Sequence, residues 1–110
     1  MIDPWCHTAS IAIDTRAEAA VAYLADGIRM GEWALGSIDR EEVAEGLFAG
    51  TSMFDGSRQY VRIHPDADEN VIFYDVGDDP NSLRRLAMIR VLPGGLLGIG
   101  ARRCVVTLMV

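Results

Sequence analysis

From Gly36 to its last residue the sequence is a succession of short extended segments separated by turns, and few folds satisfy such a pattern. Strand-like segments fall at 37–44, 47–54, 58–64, 71–76, 85–92 and 102–110. The links between them are shorter than the roughly a dozen residues that a parallel crossover needs, so successive strands must be antiparallel neighbours in a meander. Segment 37–44 carries Asp39, Arg40, Glu41 and Glu42, which predicts an edge or outward-facing strand. Segment 71–76 is apolar on both faces apart from Asp75, the mark of a central strand. Asp55-Gly56 predicts a hairpin with a type I′ turn.

Ahead of the strands the period changes. Residues 7–13 read as a first strand. Thr15 and Glu18 have the spacing of a capping box, in which each side chain satisfies the other residue's backbone donor. Ala17, Ala20, Val21, Leu24 and Ile28 then form an apolar helical stripe suited to lying on a sheet. Asp26-Gly27 interrupts it, and a shorter second helix is expected over 28–35, weakened by Gly31 and carrying Trp33. The order is one strand, two helices and six strands, an α+β arrangement of about seven strands.

The chain has 110 residues, enough for a single domain spanning 1–110. Its formal net charge is −6, with no lysine and with its arginines scattered. Phosphate contacts need clustered cations, so nucleic acid is not an expected partner, and an anionic membrane surface is disfavoured for the same reason. Residues 1–5 lack the basic and apolar regions of a signal peptide, and no apolar run approaches the ~18 residues of a membrane span. Neither secretion nor membrane insertion is expected, and the cytoplasm is the expected location. Cys6 and Cys104 are too few for a disulfide framework or a zinc site and read as buried or partly buried thiols in a reducing compartment.

Three local segments resemble one family. Ile11-Ala12-Ile13-Asp14-Thr15-Arg16-Ala17-Glu18 and its continuation to Asp26 resemble the first strand and helix start, I-x-A-P-A-E-x-V-F-x-Y-L-A-D, of the START-like superfamily. That superfamily is also called SRPBCC or polyketide cyclase/dehydrase-like. Met30-Gly31-Glu32-Trp33 resembles its M-x-x-W at the end of the second small helix, and residues 50–56 resemble a strand–turn–strand segment. The resemblance implies a helix-grip fold, a curved antiparallel sheet gripping helices around an apolar cavity. It also implies a long amphipathic C-terminal helix, whereas residues 105–110 read as a strand. That helix is therefore expected to be absent, leaving a sheet face to be covered by a second copy, a swapped element or a shift of the small helices. A shortened chain is the alternative explanation. Apolar patches of several hundred Å² usually mark interaction surfaces, so a homo-oligomer is expected.

Strand alternation places Gln59, Val61 and Ile63 on one face. Continued through the next turn, it adds Ile72, Tyr74 and Val76, with Trp33 near the mouth. These seven residues are the expected lining of a site for a small hydrophobic or aromatic ligand, although side chains of this kind also serve simply as core. The resemblance implies binding or carriage of such a ligand. Its alternatives are a polyketide cyclase/dehydratase or aromatase-type enzyme, and an oligomeric assembly or regulatory module that uses the open sheet face. No catalytic residue can be assigned. Tyr60, Arg62 and His64 alternate onto the opposite face, no Ser/His/Asp arrangement is legible, and Asp75 with Arg90 reads as a surface ion pair. No metal and no cofactor is expected. His7 and His64 are the only histidines, and residues 66–69 lack the glycine and distal glutamate of a calcium loop. The glycine-rich stretch 95–100 precedes a strand, so it reads as a flexible connection and not as a phosphate-holding loop.

Overall fold

The computed structural model describes residues 7–34 and 36–110. The readings made of residues 1–5, Cys6 and Leu35 fall outside them. In chain order the described residues form β1 (Thr8–Ile13), α1 (Ala17–Leu24), a 3-10 turn (Arg29–Glu32), β2 (Ser37–Ala44), β3 (Leu47–Ser52) and β4 (Arg58–Asp66). β5 (Val71–Gly77), β6 (Arg84–Pro93), the single-turn α2 (Gly94–Leu97) and β7 (Cys104–Met109) follow. All seven strands join one curved antiparallel sheet in the order β1-β7-β6-β5-β4-β3-β2. β2 to β7 are thus a meander, as their short links require. β5, apolar on both faces, is the middle strand, and β2 with its charged run lies at one edge.

Pro65 sits inside β4 without costing a ladder bond. The Ile63 amide points toward β3, donating to the Gly46 carbonyl at 3.0 Å, and the side two residues further on faces the same way. The β3–β4 pairing runs only as far as Leu47 opposite Arg62, so the missing Pro65 N–H would have had no partner there.

Residues directly opposite in an antiparallel ladder share a face. Phe48 faces Val61, Ile63 faces Tyr74, and Ile72 faces Ile89. This face is covered by Ala17, Ala20, Val21 and Leu24 of α1 and by Met30, and together they form the buried core. Four of the five stripe residues therefore face inward as the spacing predicts. Ile28 does not: α1 ends at Leu24, and Ile28 is 48% exposed beyond the break. At that break the Asp26 carboxylate accepts from the amides of Ile28 (3.0 Å) and Arg29 (3.3 Å), turning the chain into the 3-10 segment. A Cβ on Gly27 would lie 2.1 Å from the Phe48 ring, so only glycine lets that ring close against the break.

Several local expectations need correction. The capping box does not form. The helix begins one residue later than the box requires, with extended Arg16 as its cap, so Glu18 stands at the second helical position instead of the third. The second helix expected over 28–35 is a four-residue 3-10 turn, with Gly31 inside it. The β3–β4 hairpin is not type I′: Gly56 has φ 73° but Asp55 is not in the left-handed region. Instead the Asp55 carboxylate accepts from the Ser57 amide (2.9 Å) and hydroxyl (2.7 Å), an Asx turn that competes with the I′ conformation. Residues 95–100 are not merely a loose link, since α2 makes one turn there and ends at left-handed Gly98.

Candidate functional site

A cleft of about 240 Å³ lies between the 3-10 segment and the β2–β5 half of the helix-bearing face. Met30 and Ala34 form one wall, and Val61 and Val76 the sheet side. Phe54 and Gln59 stand at its rim, both exposed to solvent. Val61 and Val76 are direct cross-strand partners, which is why alternation in two separate segments brings them together.

Three of the seven residues expected to line a ligand site, Gln59, Val61 and Val76, meet at this cleft. The others sit deeper or beside it. Ile63, Ile72 and Tyr74 are buried within the core. The Tyr74 hydroxyl donates to the Leu24 carbonyl at 2.6 Å, and burial pushes its pKa well above the ordinary tyrosine range. That hydroxyl is occupied in fixing the end of α1. Trp33 meets the Tyr74 ring edge-on, with centroids 5.8 Å apart and planes at 72°, and its buried Nε1 has no hydrogen-bond partner among the described residues.

The residue that sequence periodicity missed is Arg40. Strict alternation fails along β2 because its register shifts between Ile38 and Glu41, where Asp39 takes φ 51°. A bulge of this kind re-aims side chains, and Arg40 turns toward the cleft. Its Nε donates to the Gly27 carbonyl, its Nη1 to the Ser37 hydroxyl (2.7 Å), and its Nη2 to the Met30 sulfur (3.5 Å). Burial pushes the guanidinium below the usual arginine range, yet it stays charged at neutral pH. Gly50 makes room for it: a Cβ there would lie 2.6 Å from Ser37 Oγ and 2.9 Å from Arg40 Nη1. A glycine inside a strand was the one sequence signal of a close approach at this point.

A second groove of about 370 Å³ runs between α1 and the β1–β7 edge, lined mainly by Ile11, Ile13, Val106, Tyr23 and Leu24. Ile11 is 63% exposed there. On the opposite sheet face, Asp75 accepts from Arg85 Nε at 2.9 Å and lies 2.8 Å from His64 Nε2. Burial raises the Asp75 pKa, but the bonds and charges of Arg85 and His64 outweigh it and hold the carboxyl below its usual range. The expected Asp75–Arg90 pair is not made, because the ladder sets Arg90 opposite Val71 while a bulge after Tyr74 brings Arg85 opposite Asp75. Cys104 is a fully buried free thiol whose pKa is raised by burial.

No family model matches the sequence, and no curated protein matches it. Solved structures do match. A START superfamily protein from Mycobacterium smegmatis superposes with TM-score 0.67 at 11% identity, covering 94% of this chain and 73% of the other. The aromatase/cyclase Zhui from a Streptomyces species gives 0.65 at 14% identity over 94% of this chain and 64% of its own. The di-domain ARO/CYC protein BexL gives 0.70 at 14% identity; it is matched over 94% of this chain, which spans only 34% of that protein. The chain therefore shares the fold of these solved structures: a helix-grip arrangement of one curved antiparallel sheet with its helices placed after β1.

Proposed function

We propose that the protein binds or carries a small hydrophobic or aromatic molecule in the cleft between the 3-10 segment and β2–β5. One observation carries the reading: the apolar side chains of Met30, Ala34, Val61 and Val76 come together around open space on the face where the fold places its helices. Pockets with mostly apolar walls and a few polar groups suit such ligands. The test is an amide-resolved NMR titration with 2-naphthamide, a neutral bicyclic probe. Saturable shifts should centre on Ala34, Val61 and Val76, and Ala34→Phe, which fills the cleft from its outer wall, should weaken binding about tenfold. Unchanged affinity in that variant, or shifts confined to other surfaces, would sink the proposal.

Two other readings have some support. Two of the superposed structures are named as aromatase/cyclases, which makes catalysis on a polyketide-like or aromatic substrate an alternative. It requires a proton donor or acceptor at the cleft, and the His64–Asp75 pair stands on the opposite sheet face. Assembly is favoured by a different observation, the exposed Ile11 beside the apolar α1–β7 groove.

A further inference from the structure

Arg40 is a half-buried cation at the cleft, with no carboxylate partner among the described residues. Among the described residues none of the ion pairs includes it; the same holds for Arg16, Arg84, Arg90 and Arg102, but those four are exposed to solvent, and for half-buried Arg62, which does not line the cleft. The three bonds of Arg40 go to a carbonyl, a hydroxyl and a thioether, all uncharged. A guanidinium has five N–H donors, so two remain. Its positive charge is also uncompensated in a partly desolvated place, where an opposite charge would be worth more than at an open surface. Holding the cation there has structural requirements of its own: a bulge at Asp39 and a glycine at position 50.

The geometry points to Arg40 as the anchor for the head group of an anionic ligand, so that the cleft takes a small apolar monoanion, such as an aromatic or alicyclic carboxylate, in preference to a neutral molecule of the same shape. This inference rests on the binding reading above and narrows it to a chemical class. In this arrangement the carboxylate meets the free N–H groups of Arg40, and the hydrocarbon body lies against Met30, Ala34, Val61 and Val76. Gln59 stands at the rim of the same cleft, with its amide nitrogen donating to Ser57 Oγ at 3.0 Å.

The experiment compares 2-naphthoate with 2-naphthamide, which share a ring system and differ in charge, by amide-resolved NMR titration. The native protein should bind the carboxylate about tenfold more tightly than the amide, as one charge-assisted hydrogen bond allows. Arg40→Gln should abolish that preference, bringing the ratio of the two affinities to about one. Arg40 also tethers β2 to the Gly27 carbonyl, so Arg40→Gln could lose its fold. Gln59→Glu is the second variant: it leaves Arg40 and its bonds in place, supplies a competing carboxylate, and should lower naphthoate affinity by a similar factor. If both probes bind at the cleft equally and Gln59→Glu changes neither, the anion inference fails and the apolar-cleft reading survives. If neither probe binds, both fail.

Discussion

Asp75 shows how one side chain can make a stability statement. It accepts from Arg85 and His64 on the outer sheet face, and its carboxyl is held below the ordinary range. A group depressed in the folded state contributes stability above its unfolded pKa, near 3.9, and loses it as the pH falls through its folded value. Asp75→Asn should therefore cost about 1 kcal/mol at pH 7, because Arg85 and His64 are both half exposed and the pairs are screened. Urea titrations of native and variant protein should converge as the pH is taken below about 4. A deficit independent of pH would mean that Asp75 acts through shape and not through charge. At this scale the sequence was only partly legible. Alternation placed Val61, Ile63, Ile72 and Tyr74 on one face, because strand period is a local property of the backbone. Alternation could not show that the Tyr74 hydroxyl reaches back to the carbonyl of Leu24, since that bond joins residues fifty positions apart.

The elements followed from pattern wherever pattern is what decides them. Six strands and the inward stripe of α1 lie where alternation and helical spacing put them, since each is set by which side chains must leave water. Element ends did not follow so closely. The Thr15–Glu18 spacing signalled a cap, but which residue starts a helix depends on how the preceding strand delivers the chain to the sheet. Thr15→Ala should accordingly change the melting free energy by less than about 0.5 kcal/mol, well below the loss of a working cap. Gly27→Ala should cost about 1–3 kcal/mol, because a methyl group there meets the Phe48 ring at 2.1 Å. Calorimetry of the two variants distinguishes these outcomes, and equal losses would contradict the placement of the α1 boundary. The bulge in β2 belongs to the same class of feature. It arises from the pairing of two strands, so no run of residues in β2 announces it, and Arg40 was hidden among neighbours that face solvent.

For the whole molecule the governing fact is that α1 and the 3-10 segment cover only part of one sheet face. The groove beside them exposes Ile11 next to Val106 and Ile13. If a second copy covers this groove, the proposal of self-association makes a direct prediction. Light scattering should give a mass above the 12.0 kDa of one chain, and Ile11→Asp should return it to that value by placing a charge in an apolar contact. A native monomer at high concentration would remove the assembly reading and leave the cleft as the surface that matters.

The position of Arg40 on β2 has a kinetic consequence. β2 is an edge strand with a single neighbour, and edge elements open at lower free energy than a sheet's interior. If Arg40 anchors a ligand as proposed, that ligand is held by the part of the sheet that most readily peels away, and its residence time is tied to the breathing of that edge. Occupancy and edge order would then reinforce each other: a bound molecule would slow the fraying that releases it, and a substitution that loosens β2 would shorten residence without touching the cleft's apolar walls.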